Sequence, residues 1–199
     1  MCKTGYLEMI IGPMFSGKTS RLLEIYRKET YCQSKVFVIN HSIDNRYGMS
    51  NELINHNKEK IPCLSYNLIQ DFIEFVDKEI NSNDNFISQN IVVLINEGQF
   101  FQDINQGTID LVEKYKFNVY VCGLDGDFKR NTFGDFLKLI PYCDKVVKLK
   151  ALCFNCKNGK YAPFSHRVIK EQNDEQIKVG SIETYVPLCR KCYIESNFS

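Results

Sequence analysis

The sequence predicts an α/β fold, a parallel sheet flanked by helices, followed by a small cysteine-rich unit at the C-terminal end. Three observations predict it. Short apolar runs end at polar or glycine-rich segments, helical patterns lie between those runs, and two close cysteine pairs follow them.

The strands are the strongest part of this prediction. Four apolar runs are rich in β-branched residues and nearly continuous, which is typical of strands buried on both faces of a parallel sheet. They are Tyr6–Ile11, Val36–Ile39, Ile91–Ile95 and Val119–Val121.

Two helices are predicted between these strands from apolar residues spaced three and four apart. The second helix has the clearer pattern, with Ile69, Phe72, Ile73, Val76 and Ile80; the first follows Leu22, Leu23, Ile25 and Tyr26 more roughly. The polar stretch 81–90 is predicted to be a surface loop.

Length and composition limit the function. The 199 residues are 44% hydrophobic, enough for a packed core, and 25 basic against 24 acidic residues leave a net charge of +1. Such a balance gives no electrostatic case for nucleic acid as the main partner. No apolar run predicts a membrane span or a signal peptide, so a cytoplasmic location is the expectation. The change of character near Lys150 predicts a domain over residues 1–150 and another over 151–199.

Four of the nine cysteines form two close pairs, Cys153 with Cys156 and Cys189 with Cys192. Two C-x₂-C pairs can place four thiolates around one Zn²⁺ in a tetrahedron. Four protein ligands would leave no open coordination position, which indicates a structural rather than a catalytic metal. The alternative is four unrelated buried thiols.

A phosphate-binding loop is predicted directly after the first strand. The segment matches G-x-x-x-x-G-K-[ST] and opens a predicted helix, so its backbone N–H groups can point at phosphate oxygens. The lysine would reach the β- and γ-phosphates of ATP, and the threonine hydroxyl would coordinate Mg²⁺. The residues are Gly12, Pro13, Met14, Phe15, Ser16, Gly17, Lys18 and Thr19.

A second candidate site follows the strand Ile91–Ile95, where Asn96 and Glu97 come next. In a phosphate-loop fold a carboxylate at such a strand end usually holds the water shell of Mg²⁺, yet Asn96 is neutral. Glu97 would lie in the crevice at the carboxyl end of the sheet and could act as a general base. The alternative is that Glu97 is a solvated residue at the start of a loop.

These segments together resemble the type II, cytosolic-type thymidine kinase family over nearly the whole chain. The matching segments are GPMFSGKT at 12–19, DNRY at 44–47, NEGQFF at 96–101, LDGDFKR at 124–130 with FG at 133–134, VVKL at 146–149, and YVPLCRKCY at 185–193.

The resemblance implies transfer of the ATP γ-phosphoryl group to the 5′-hydroxyl of thymidine, with Glu97 as the base. It places Asp44, Asn45, Arg46, Asn96 and Gln99 with the phosphate loop on the nucleotide side. It assigns nucleoside contacts to Met14, Leu124, Phe128, Phe133, Ser165 and Tyr185, and to a lasso segment made of Gln176, Ile177, Lys178, Val179 and Gly180. It also implies a homotetramer and feedback inhibition by thymidine triphosphate.

Three positions depart from the family pattern. Asn96 replaces an aspartate, which predicts a more Mg²⁺-demanding enzyme; Ser165 replaces a threonine, which predicts relaxed discrimination against deoxyuridine; Ser181 replaces a lasso glycine. Two alternatives remain open at this point. One is a nucleic-acid-stimulated ATPase with a zinc ribbon, and the other is a weakened paralogue that only binds nucleotide.

Overall fold

A computed structural model describes residues 4–43, 52–55, 58–83, 85–86, 89–168, 176 and 184–198. Its centre is a six-stranded sheet in the order β5-β2-β6-β7-β1-β8, and every neighbouring pair is parallel. The strands of this sheet are β1 (Tyr6–Gly12), β2 (Lys35–His41), β5 (Leu64–Tyr66), β6 (Ile91–Ile95), β7 (Asn118–Leu124) and β8 (Lys145–Lys148). A separate antiparallel pair is formed by β3 (Glu52–Ile54) and β4 (Lys60–Pro62).

Helices cover both faces of the sheet, because its central strands are apolar on both sides. On one face Met9 and Ile11 pack with Phe72 and other residues of α2 (Ile69–Ser82); on the other, Ile10 packs with Leu22. The remaining helical segments are α1 (Lys18–Tyr31), α3 (Ile104–Ile109), which continues as a wider turn over Asp110–Lys114, and the 3₁₀ segments Gly98–Phe100 and Phe136–Tyr142. The predicted α/β class is confirmed.

The prediction of a surface loop over residues 81–90 is wrong in part. Helix α2 continues through Ser82, and Phe86 is fully buried. The Phe86 ring packs in the same core as Phe37, and the ammonium of Lys35 lies 4.2 Å from its centroid. One large aromatic ring thus draws part of a polar segment onto the core.

The C-terminal part has a small apolar core of its own around Ala162, Val186 and Leu188. It consists of β9 (Ala151–Leu152) paired with β10 (Tyr161–Ala162), β11 (Phe164–Arg167) paired with β12 (Tyr185–Leu188), and α4 (Arg190–Phe198). Phe15 of the phosphate loop packs against this core. A division into two domains at residue 150 stays a prediction.

None of the helices in the described part of the chain has the length and apolar character that a membrane span requires.

Candidate active site and metal centre

Strand register gathers the predicted site residues at one edge of the sheet. Gly12 at the end of β1 lies beside Leu124 at the end of β7, and Ile95 at the end of β6 lies beside Val121. Since β7 separates β1 from β6, the strands that lead to the phosphate loop and to Glu97 run roughly 10 Å apart. Carboxyl ends of parallel strands form the usual ligand crevice of such sheets.

The phosphate loop depends on its two glycines for different reasons. A Cβ atom on Gly12 would lie 2.7 Å from the Leu149 carbonyl oxygen, so a side chain has no room there. Gly17 has open space around it but a φ of 85°, a left-handed conformation that glycine adopts without strain. Helix α1 begins at the next residue, so its first N–H groups face the loop.

Polar side chains of the loop turn inward. The ammonium of Lys18 and the hydroxyl of Ser16 both donate hydrogen bonds to the carbonyl oxygen of Pro13, each at 2.8 Å. Thr19 lies in the first turn of α1 and is half-buried. A cation held over amide-lined backbone at a helix N-terminus fits a polyphosphate.

Glu97 follows β6 in a strained backbone conformation, with a φ of 54°. Its carboxylate accepts a 2.6 Å hydrogen bond from Nε2 of Gln99, and Oε1 of Gln99 accepts one from the backbone N–H of Leu124 at 3.0 Å. The half-buried carboxylate is therefore fixed to the end of β7 through one side chain. Non-glycine residues in the left-handed region concentrate at functional sites.

Asn96 takes part in a buried polar ladder across three strands. Its Nδ2 donates to Oδ1 of Asn40 at 2.9 Å, and its Oδ1 accepts from the Cys122 thiol at 3.1 Å. Asn96 is 2% exposed. An aspartate here would bring a carboxylate against the Asn40 oxygen unless the Asn40 amide turned over, so the neutral residue suits its neighbours.

The turn that carries Phe128 is organised by Asp127, which sequence reasoning did not single out. The buried Asp127 carboxylate accepts hydrogen bonds from the backbone N–H groups of Lys129 and Asn131, both at 2.8 Å. Its other oxygen accepts from Nε2 of Gln176 at 2.9 Å. Gln176, the one residue of the predicted lasso that the structure describes, is therefore hydrogen-bonded to the turn that carries Phe128.

Arg167 connects the two predicted aromatic contacts. Its guanidinium lies 3.9 Å from the centroid of the Phe128 ring and donates a 2.8 Å hydrogen bond to the hydroxyl of Tyr185. Arg167 and Tyr185 are opposite each other in β11 and β12. Sequence reasoning missed this arginine, because Tyr185 is 18 residues away in the sequence and only the pairing of β11 with β12 reveals that they are neighbours.

Ser165 joins the C-terminal part to the phosphate loop. Its hydroxyl oxygen accepts a 3.0 Å hydrogen bond from the backbone N–H of Met14, and the side chain is 5% exposed. Phe133 is also buried and contacts the ring of Phe100 edge-on. The predicted residues Asp44, Asn45, Arg46, Ile177, Lys178, Val179 and Gly180, and the noted Ser181, lie outside the described residues.

The cysteine quartet has the geometry of a tetrahedral metal site. The four sulfurs lie within 4.8 Å of one another, and Cys156 is 3.7 Å from Cys189 and 3.4 Å from Cys192. Zinc–sulfur bonds of about 2.3 Å predict sulfur separations of roughly 3.8 Å in a tetrahedron, whereas a disulfide needs about 2 Å. Cys153, Cys156, Cys189 and Cys192 are therefore compatible with a structural zinc ion.

Hydrogen bonds from backbone N–H groups favour the thiolate form of Cys153, which is the form that binds a metal cation. Burial raises the pKa of Cys153, but hydrogen bonds from the amides of Cys156, Cys189 and Asn155 outweigh that effect and lower it to about 6. A thiol with such donors is readily a thiolate, the form that binds zinc.

Comparison with known proteins places the chain in a family. A family model described as thymidine kinase matches residues 5–193. Thymidine kinase of sheeppox virus is 39% identical over 189 residues, covering 95% of this chain and 97% of its own. Those of variola virus and of Amsacta moorei entomopoxvirus are 39% and 38% identical, and each comparison covers 96% of this chain and 98% of the relative. With the phosphate loop, Glu97 and the cysteine quartet in the matched region, the chain belongs to the thymidine kinase family.

Proposed function

We propose that this protein transfers the γ-phosphoryl group of ATP to the 5′-hydroxyl of thymidine, giving thymidine monophosphate and ADP. One observation carries the proposal: Glu97, fixed through Gln99, lies at the same sheet edge as the phosphate loop. A nucleoside kinase needs an acceptor for the hydroxyl proton beside a polyphosphate site.

The phosphate side binds ATP. Backbone N–H groups of the loop would surround the phosphates, except at Pro13, which has none, and at Met14, whose N–H donates to Ser165. Lys18 would leave the Pro13 carbonyl oxygen to reach the β- and γ-phosphates. Thr19 and Asn96 would hold Mg²⁺ and its water, and the resemblance assigns Asp44, Asn45 and Arg46 to the nucleotide. Mg²⁺, when bound, neutralises charge on the transferring group.

Glu97 accepts the proton of the 5′-hydroxyl as that oxygen bonds to the γ-phosphorus and the bond to the β-phosphate oxygen breaks. ADP is the leaving group. Because the Glu97 carboxylate is only half-buried, it can contact a nucleoside bound in the crevice.

The nucleoside side lies between the sheet edge and the C-terminal part. The thymine ring would pack on Phe128 with Tyr185 beside it, and the resemblance assigns further nucleoside contacts to the lasso residues 176–180. The methyl group contacts Met14, Leu124 and Ser165, while Phe133 supports the pocket wall. The hydrogen bond between the Met14 amide and Ser165 supports this arrangement, because it places the two residues side by side.

The remaining expectations concern the environment of the enzyme. We infer a homotetramer that acts in the cytoplasm, is inhibited by thymidine triphosphate and contains a structural zinc ion. The sulfur separations in the quartet support the last of these. Deoxyuridine is a second possible substrate, since Ser165 lacks the methyl group of a threonine.

A substrate panel tests the proposal against its alternatives. The purified chain is incubated with ATP and Mg²⁺ plus thymidine, deoxyuridine, deoxycytidine or single-stranded DNA, and both monophosphate formation and phosphate release are followed. Monophosphate from thymidine, with deoxyuridine as the weaker substrate, is expected. Phosphate release that depends on DNA, without any nucleoside product, would overturn the proposal; nucleotide binding without turnover would leave only the weakened paralogue.

A further inference from the structure

Gln99 connects two parts of the candidate site. Its Nε2 is 2.6 Å from the Glu97 carboxylate, and its Oε1 is 3.0 Å from the Leu124 backbone nitrogen. The side chain is 4% exposed, and both ends of its amide have a partner.

The orientation of this amide is determined by its partners. An ionised carboxylate only accepts hydrogen bonds and a backbone N–H only donates them, so the Gln99 nitrogen must face Glu97 and the oxygen must face Leu124. If the Gln99 amide were turned over, its oxygen would face the Glu97 carboxylate and its NH₂ group would face the backbone N–H of Leu124, and neither contact is a hydrogen bond. The contact is thus directional, and no other uncharged side chain of this length supplies both groups.

The surrounding backbone leaves Gln99 little freedom. A Cβ atom on Gly123 would lie 2.7 Å from Oε1 of Gln99, and one on Gly134 would lie 2.4 Å from its carbonyl oxygen. Gly134 also has a φ of 59°, which favours glycine. Two glycines from β7 and the following segment therefore make the space that Gln99 occupies.

We propose that Gln99 is the positioning residue of the general base, and not a nucleotide-binding residue. It fixes the Glu97 carboxylate by donating a hydrogen bond to it, and it connects that carboxylate to Leu124 at the nucleoside pocket. This inference rests on the proposed function as a thymidine kinase. Glu97 has a left-handed backbone conformation, which persists only where surrounding contacts hold it, and the hydrogen bond from Gln99 is one such contact.

Gln99→Glu keeps the hydrogen bond with Leu124 and removes the one that Gln99 donates to Glu97. A carboxylate at position 99 still accepts from the Leu124 amide but opposes Glu97, so the pair shares a proton and the apparent pKa of the base rises. The acid limb of the profile of kcat against pH should move up by roughly one pH unit or more, with activity recovered at high pH. The KM values for thymidine and ATP should stay within about twofold of the parent.

Gln99→Leu removes both hydrogen bonds. Its kcat should fall by about tenfold and its KM for thymidine should rise, with the KM for ATP unchanged. Gln106 offers the matched control, since it is exposed and its Nε2 donates to Asp110 at 2.7 Å. Gln106→Glu and Gln106→Leu repeat both changes beside a carboxylate outside the site and should leave the pH profile as in the parent.

Steady-state kinetics over pH decide the inference, with circular dichroism to compare folding. An acid limb in Gln99→Glu identical to the parent's overturns it, and so does a rise in the KM for ATP as the main effect. Should Gln99→Leu fail to fold, Gln99→Glu decides alone. Failure of the proposed function looks different, because then the parent chain itself makes no thymidine monophosphate.

Discussion

The phosphate side and the nucleoside side of the candidate site are built in different ways. The phosphate loop is one continuous segment, and its shape follows from Gly12, Gly17 and the start of α1. The nucleoside side combines Phe128, Arg167 and Tyr185 from three separate segments. The loop also contacts the C-terminal part through Met14 and Phe15, but its shape depends less on distant structure than that of a site assembled from several segments.

The largest effect expected from this difference concerns zinc. Cys153→Ser should abolish zinc binding and thymidine phosphorylation, since four thiolates organise the C-terminal part, while ATP still binds the loop. Zinc content, nucleoside turnover and binding of a fluorescent ATP analogue measure the three quantities. Cys32→Ser is the control, because Cys32 is exposed at the end of α1. Full thymidine phosphorylation in a zinc-free variant would contradict the comparison.

Lys18→Met is expected to act on the opposite side. Loss of the loop ammonium that would reach the γ-phosphate should lower kcat by about 100- to 1,000-fold, with thymidine binding retained. Single-turnover kinetics and calorimetric thymidine binding check both parts. Lys28→Met, also in α1 but exposed and paired with Glu29 at 3.3 Å, should behave as the parent. Equal losses in the two variants would argue against a phosphate role for Lys18.

Asn96→Asp should sharpen the phosphate side. An added carboxylate near Mg²⁺ should lower the Mg²⁺ concentration that gives half-maximal rate by about tenfold. This is the low end of the effect of one charge-assisted hydrogen bond, because the Asn40 amide must first turn over to avoid opposing its oxygen to the new carboxylate. Asn118→Asp is a matched control, since Asn118 donates to Asn90 at 3.2 Å at the opposite end of β7. If a Mg²⁺ titration shows no gain, Asn96 does not belong to the metal shell.

The smallest effect is expected at Ser165, where the two sides meet. Ser165→Thr adds one methyl group and keeps the oxygen that accepts from Met14, so preference for thymidine over deoxyuridine should rise by about fivefold. The ratio of kcat/KM for thymidine to kcat/KM for deoxyuridine measures this preference. Because both values come from the same enzyme preparation, a general loss of activity does not change the ratio. An unchanged ratio would place Ser165 away from the thymine methyl group.

The difference between a site made from one segment and a site made from several also explains which features the sequence could predict. The loop, Glu97 and the cysteine quartet are local patterns whose chemistry is evident from residue type and spacing, and the apolar runs predict the sheet. Arg167 and Asp127 have partners 18 and 49 residues away in Tyr185 and Gln176, so only the folded chain reveals them. Phe86 was missed because a single aromatic ring in a polar segment gives no periodic signal.

The role of Asn96 likewise differs between the sequence and the structure. From the sequence, an asparagine in place of an aspartate is simply a lost charge. In the structure its amide matches Asn40 and Cys122 on both neighbouring strands, so the residue is part of a neutral ladder. A substitution at a buried position is best judged together with the side chains that it contacts.

The most direct test of the central claim is the rate of phosphoryl transfer in Glu97→Gln. The amide keeps the size of the side chain but cannot accept the 5′-hydroxyl proton, so kcat for thymidine monophosphate should fall by about 100- to 10,000-fold while ATP and thymidine still bind. Transfer at the parental rate in this variant would show that Glu97 is not the base.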